Sequence, residues 1–530
     1  MPAPPTRFRF DPQPKDHNIT SPRLTNPQAH TQGANSLGHN AKPPIGELRF
    51  AAPESLDSPE TSINASNFGY SCPSNGGASY AAVVANASNL NLAPSALQVL
   101  DEMIGQTGDI FDEDCLTLNI WTKPQTGEKK KAVLLWIHGG EYVSGSSNIR
   151  AHNGKYLADS QDIIVVSINY RLNIFGFPGN PASTNNLGLL DQRLAIEWTR
   201  DNIQAFGGDP KRITLVGESS GAGSVDFYSF AWTKDPIVNG FIAQSGIANP
   251  ATPSVSAANW VAATTLLGCA SSNSTDTTVL SCMRSQNQTA ILRAVSAIPT
   301  TFGPTVDNIV AFSDNLERAA AGKVIRKPYL IGNNDNEAGL FEVTYGARGI
   351  TYPPSFWKLQ NLFIFNCGIS LRAKAAAIKV PTWRYHYFGE FPNLALSTSP
   401  PSGAWHGSEI PMVFGADLDV QNITGRTTEQ QRIIDYMEGA WAAFVKDPAR
   451  GLKKYGWPKY NPDSKTLVRL AYENRTGPNI GSPADYDFSC PWVFPLGNAL
   501  LYANTTQTAI DVIAGLTRPA AEQVLNLFDV

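Results

Sequence analysis

Short, continuously apolar runs alternate with stretches of helical spacing through the middle of the chain. Residues 132–137 form one such run, which ends at His138-Gly139-Gly140. Residues 163–168 form a second, ending near Asn169-Tyr170-Arg171. From 187 to 206 the apolar residues Leu190, Leu194, Trp198 and Ile203 recur at helix-like intervals, until Gly207-Gly208-Asp209-Pro210 breaks the pattern. A strand is expected at 213–216, followed by small residues and a helix. Further strands are expected at 240–243, 329–331 and 382–388, and a helix with one apolar face at 433–444. A run that is apolar on both faces suits a strand covered on both sides. Alternation of such runs with helices therefore predicts an α/β fold, a central mostly parallel sheet flanked by helices. Residues 1–40 show neither period and read as an atypical, poorly ordered segment, leaving 41–530 as a single domain.

Composition narrows the class. The chain has 530 residues, 42% of them hydrophobic, enough for a large core. A net charge of −4 with both signs spread along the chain carries no nucleic-acid footprint. No run of eighteen apolar residues exists, so no transmembrane segment is expected. The six cysteines, Cys72, Cys115, Cys269, Cys282, Cys367 and Cys490, contain no C-x-x-C pair, which disfavours zinc and thiol-redox chemistry. Glycosylation sequons begin at Asn18, Asn64, Asn86, Asn273, Asn287, Asn422, Asn474 and Asn504. Together with an even cysteine count they point to the secretory route and an extracellular protein. Residues 1–40 supply no apolar core of a signal peptide, so the natural start is expected to differ from the one written here.

The chemistry concentrates in a few loops. Gly217-Glu218-Ser219-Ser220-Gly221 matches G-x-S-x-G directly after the expected strand 213–216. A sharp strand-to-helix turn there would lift Ser219 above the sheet edge as a nucleophile, and the N–H of Ser220 would face a developing oxyanion. His138-Gly139-Gly140-Glu141 ends the preceding apolar strand and offers further backbone N–H groups. The general base must be a histidine, and in this arrangement the chain order is nucleophile, acid, histidine. Only His386 and His406 follow Ser219. His386 lies inside a strand-like run, whereas His406 sits in the loop Gly403-Ala404-Trp405-His406-Gly407 and is the better candidate. Asp335 and Glu337, after the strand ending at Ile331, are both candidates for the acid, and pattern alone does not separate them.

These motifs, with Glu113-Asp114-Cys115-Leu116-Thr117-Leu118-Asn119, Phe206-Gly207-Gly208-Asp209-Pro210 and His406-Gly407-Ser408-Glu409-Ile410-Pro411, stand in the order found in the type-B carboxylesterase family, which the chain resembles from about Ala41 to near its C-terminus. That family includes cholinesterases and large fungal lipases. The resemblance implies an α/β-hydrolase fold and a serine esterase with the triad Ser219, Glu337 and His406. It implies oxyanion donors at Gly140, Glu141 and Ser220, and no metal or organic cofactor. It also implies the disulfides Cys72–Cys115, Cys269–Cys282 and Cys367–Cys490, and structural ion pairs of Arg49 with Glu113 and Arg171 with Asp191. The chain departs from the family at Glu141, where Gly or Ala is usual, at Ala338, and before Ala41, where a hairpin is expected. The expected partner is a small-molecule or lipid ester. A triacylglycerol lipase uses the same triad and is the main alternative. A cholinesterase is disfavoured, since the interval between Cys72 and Cys115 holds no Trp to face a quaternary ammonium. A non-catalytic member is disfavoured by retention of all three triad residues.

Overall fold

The computed structural model describes residues 38–56, 67–124, 129–416 and 425–497. Its centre is one ten-stranded sheet. The strands are β1 (Gly38–His39), β2 (Thr117–Trp121), β3 (Lys131–Ile137), β4 (Ile164–Ile168), β5 (Gly208–Glu218), β6 (Gly240–Gln244), β7 (Tyr329–Asn334), β8 (Thr382–Tyr387), β9 (Leu467–Leu470) and β10 (Asn479–Gly481). They lie in the order β1-β2-β4-β3-β5-β6-β7-β8-β9-β10. From β4 to β9 every neighbouring pair is parallel. Antiparallel pairs occur at the two edges only, β1 with β2, β2 with β4, and β9 with β10.

The parallel centre explains the apolar runs. Along β3, Ala132, Leu134 and Trp136 enter the core on one face while Val133, Leu135 and Ile137 enter the core on the other. On β4, Val165 joins the first core and Ile164, Val166 and Ile168 the second. Truncating any of these large side chains to Ala is expected to cost about 2–5 kcal/mol, since neither face has solvent to fill the gap. The last third contributes the long helix Thr428–Lys446, whose Ile433, Met437, Trp441 and Phe444 pack on the first core.

Several boundaries differ from expectation. The strand expected at 213–216 runs from Gly208 to Glu218, so it takes in Asp209 and Pro210, which sequence reading assigns to a breaker. The ladder with β3 shifts register between Lys131 and Val133, and that irregularity accommodates the proline. Strands β2, β9 and β10 have no expected counterpart; β9 and β10 are short, three or four residues each. Within the segment read as coil, Gly38 and His39 pair with Leu118 and Thr117, an edge contact made by backbone groups that needs no apolar pattern. Residues 1–37 lie outside the described residues.

The three disulfides join Cys72 to Cys115, Cys269 to Cys282 and Cys367 to Cys490, and no cysteine is free. Arg49 grips Glu113 through two nitrogens, with Nε 2.7 Å from Oε2. Arg171 holds Asp191 likewise, at 2.8 and 2.6 Å. Of the sequon asparagines, Asn273, Asn287 and Asn474 are exposed and Asn86 is half-buried. Asn18, Asn64, Asn422 and Asn504 fall outside the described residues. No described helix is long and apolar enough to cross a membrane.

Candidate active site

β5 ends at Glu218, and the helix Ser220–Ala231 starts two residues later. Ser219 between them adopts φ 56° and ψ −124°, a conformation an L-residue holds only under constraint. The constraint comes from both sides. Its N–H donates to Gln244 O at 2.8 Å, and its carbonyl accepts from Gly223 N at 2.9 Å. A Cβ at Gly221 would lie 2.1 Å from the Ile137 carbonyl oxygen, and one at Gly217 would lie 2.5 Å from the Gly221 backbone. The turn therefore tolerates only glycine at these two motif positions.

Ser219 opens on a cavity of about 490 Å³. Gly139, Gly140, Glu141 and His406 line it. Gly140 has φ 107° and Glu141 φ 56°. Among the described residues neither N–H of these two finds a hydrogen-bond acceptor. The next amide, of Tyr142, donates to Ser220 Oγ at 3.3 Å and ties the glycine loop to the start of the helix. Glu141 is exposed and lines the cavity. Its charge adds to burial in raising the pKa of the Tyr345 phenol, which also lines it.

His406 is 6% exposed and lies between the rings of Phe341 and Phe365. Its Nδ1 is 2.6 Å from Glu337 Oε2. Glu337 is fully buried, and its other oxygen accepts from Asn334 N at 2.7 Å. Asp335, the alternative acid, points elsewhere: its Oδ1 lies 3.1 Å from Nε2 of His386, the alternative base. Neither lines the cavity. The two pairs left open by sequence are thus sorted by the fold, Glu337 with His406 and Asp335 with His386.

Two further carboxyls surround His406. Glu218 Oε1 lies 3.3 Å from Nε2. Glu409 is held by Gln244 Nε2 at 2.9 Å and Asn334 Nδ2 at 2.6 Å. Burial pushes Glu218 up, to about 8, and raises Glu409 as well. Burial disfavours the imidazolium at His406, yet the carboxyls of Glu218, Glu337 and Glu409 outweigh it and carry the ring up to about 9. Sequence reading passed over Glu218 and Glu409, although both sit inside the motifs it quoted. It also missed the cavity wall made by Trp136 and His152, residues whose positions become meaningful only once the sheet is assembled.

A parallel sheet with a strained serine at the tip of a central strand, and a histidine and acid from later loops, defines the α/β-hydrolase class. Residues 39–352 and 351–488 match the model of the carboxylesterase family, and the chain belongs to that family. It is 33% identical over 470 residues to chlorogenic acid esterase of Aspergillus niger, covering 83% of this chain and 87% of that protein. It is 34% identical over 480 residues to secreted lipase 5 of Gibberella zeae, covering 82% and 85%. The cholinesterase of Mus musculus matches over a shorter span, 34% identical over 325 residues, 59% of this chain and 51% of that protein. Among solved structures, a PNB esterase superposes with a TM-score of 0.66 at 25% identity, covering 81% of this chain and 90% of the other. The protein is a carboxylic ester hydrolase. Its disulfides and its secreted fungal relative fit an extracellular protein.

Proposed function

We propose that the protein hydrolyses small carboxylic esters by acyl transfer through Ser219, with His406 as general base and Glu337 as its orienting acid. Ser219 attacks the ester carbonyl while His406 Nε2 takes the hydroxyl proton. The N–H groups of Gly140, Glu141 and Ser220 receive the charge on the tetrahedral oxygen. Nε2 then returns the proton to the departing alcohol, and water repeats the sequence on the acyl-enzyme. Glu337 keeps the Nδ1 proton in place, so that Nε2 is the nitrogen free to act.

The observation that carries this reading is the 2.6 Å contact of His406 Nδ1 with a fully buried Glu337, on a ring that faces the same cavity as the strained Ser219. The likeness to a secreted lipase favours a second reading, in which the ester is a lipid. The test is hydrolysis of p-nitrophenyl butyrate and of emulsified long-chain triacylglycerol by the wild type and by Ser219→Ala. Turnover of the soluble ester that Ser219→Ala lowers at least about a thousandfold is the expected result. Wild-type turnover by that variant would sink the nucleophile. A strong preference for the emulsion would move the assignment to a lipase.

A further inference from the structure

The acidic and basic side chains that line the cavity fall into two groups. Four are buried: His138, His152, Glu218 and His406. Burial holds His138 down to about 4 and His152 down to about 3, so both rings are neutral at physiological pH. Glu218 and His406 lie 3.3 Å apart and titrate as a pair. The other two, Glu141 and Arg348, are exposed. Arg348 donates from Nη2 to Ser79 Oγ at 2.6 Å. Among the described residues the Glu141 side chain makes no hydrogen bond and no ion pair. Its charge nevertheless reaches the cavity lining: it raises the Tyr345 phenol, after burial itself, by more than Arg348 lowers it.

Glu141 is also fixed close to the reaction. The next residue, Tyr142, donates its N–H to Ser220 Oγ at 3.3 Å. In the mechanism above, the N–H groups of Gly140 and Glu141 hold the carbonyl oxygen of the ester. The reacting carbon is then brought beside the residue that carries the exposed carboxylate, and this step rests on that reading. We propose that Glu141 is a specificity-determining residue whose carboxylate excludes esters with a second carboxylate within a few bonds of the scissile carbonyl. The substrates admitted are neutral esters. Half-esters of short dicarboxylic acids and esters of small hydroxy acids are rejected.

Electrostatics supplies the selection. Like charges repel more strongly in a cavity walled by protein than in open water, because the effective dielectric constant is lower. The tetrahedral oxygen adds negative charge at the same place as the reaction proceeds. A substrate carboxylate there would need a cation beside it. His138 and His152 are neutral, and Arg348 stands beyond the end of the helix Ala338–Gly346 without bonding to Glu141. A neutral ester brings no net charge and meets none of this repulsion.

The test compares two pairs of esters in which a carboxylate is exchanged for an amide of nearly the same shape, with released acid followed by titration at constant pH. Monoethyl succinate with ethyl succinamate places the charge on the acyl side. O-Butyryl glycolate with O-butyryl glycolamide places it on the alcohol side. The expected result is a kcat/KM about tenfold or more higher for the amide in at least one pair. Glu141→Gln should shrink that ratio by about fivefold or more, and so should Glu141→Gly, which suits the φ of 56° at this position. Glu141→Asp keeps the charge and should keep the ratio. Damage to folding or to the oxyanion donors lowers both members of a pair together, so a collapsed ratio reports charge selection. Parity in the wild type, or a ratio that survives Glu141→Gln and Glu141→Gly in both pairs, overturns the proposal. Failure of the triad reading is separately visible, as ester turnover that Ser219→Ala does not remove.

Discussion

Two histidine–carboxylate pairs take their acids from the residues just after β7, and only one of them has its histidine on the cavity. Their acids are two residues apart, Asp335 and Glu337, just beyond β7. Their contacts are similar, 3.1 Å for His386 with Asp335 and 2.6 Å for His406 with Glu337. The surroundings differ. The Asp335 side chain is 49% exposed, whereas that of Glu337 is fully buried. His386 is fixed in β8 and stacks on Phe388 and Tyr486. His406 is carried on a loop and has three carboxyls around it. A hydrogen bond between a ring and a carboxylate is therefore no mark of catalysis by itself. What distinguishes the second pair is a dry acid on Nδ1 and a ring that lines the cavity, with its other nitrogen 3.3 Å from Glu218 Oε1.

The largest expected effect breaks this comparison outright. His406→Gln and Glu337→Gln should each lower kcat/KM by about a hundredfold to ten-thousandfold, since under the proposed mechanism either change removes the correctly held base. His386→Gln and Asp335→Asn should stay within about threefold of wild type. Steady-state kinetics on p-nitrophenyl butyrate decide it. Comparable losses in the two pairs would mean that the second histidine also serves the reaction.

The pH profile sharpens the same contrast. As the proposed general base, His406 must be neutral to accept a proton, and its pKa is raised to about 9 by the neighbouring carboxyls. The sign is fixed: kcat/KM should climb as pH rises through that value and fall away below it. Glu218 contributes first among these carboxyls. Glu218→Gln removes a negative neighbour that favours the imidazolium, so the ascending limb should move to lower pH. Asp335→Asn should leave the limb in place. Glu218 and His406 titrate as a coupled pair, so the limb belongs to both. A limb that shifts upward in Glu218→Gln would contradict this electrostatic account.

Sequence carried much of this picture, but unevenly. The parallel centre was legible because strands buried on two faces must be apolar at every position, as 132–137 and 163–168 are. Ser219 was legible because the backbone at its turn excludes side chains at 217 and 221, which writes glycine into the sequence. The choice of His406 over His386 rested on a loop against a strand; in the structure His406 lines the cavity and His386 does not. Asp335 and Glu337 could not be told apart by pattern, since the direction of a side chain after a strand end depends on the next turn. Only the family resemblance favoured Glu337 beforehand. The edge strands were hidden because two to four residues carry no period. The wall of Trp136, His152 and Glu218 was hidden for another reason. Its members are 66 and 16 residues apart in sequence, and only the packing of β3, the 150–152 turn and β5 brings them together.

The smallest expected effect concerns stability, and it tests whether the outer pair is needed even for folding. The Asp335 carboxylate is half in water, so its contact with His386 is screened and should contribute about 0–1 kcal/mol. The His386 ring is buried, with an Nδ1 that has no hydrogen-bond partner. Replacing it with Phe keeps the stack on Phe388 and Tyr486 and removes that unsatisfied nitrogen. The double variant His386→Phe, Asp335→Asn should therefore unfold in urea within about 1 kcal/mol of wild type, because both partners of one weak bond are lost together. A loss of about 3 kcal/mol or more would mean that the pair holds β8 against the loop after β7. In that case the outer histidine would be a structural element of the site, and its distance from the chemistry would no longer make it expendable.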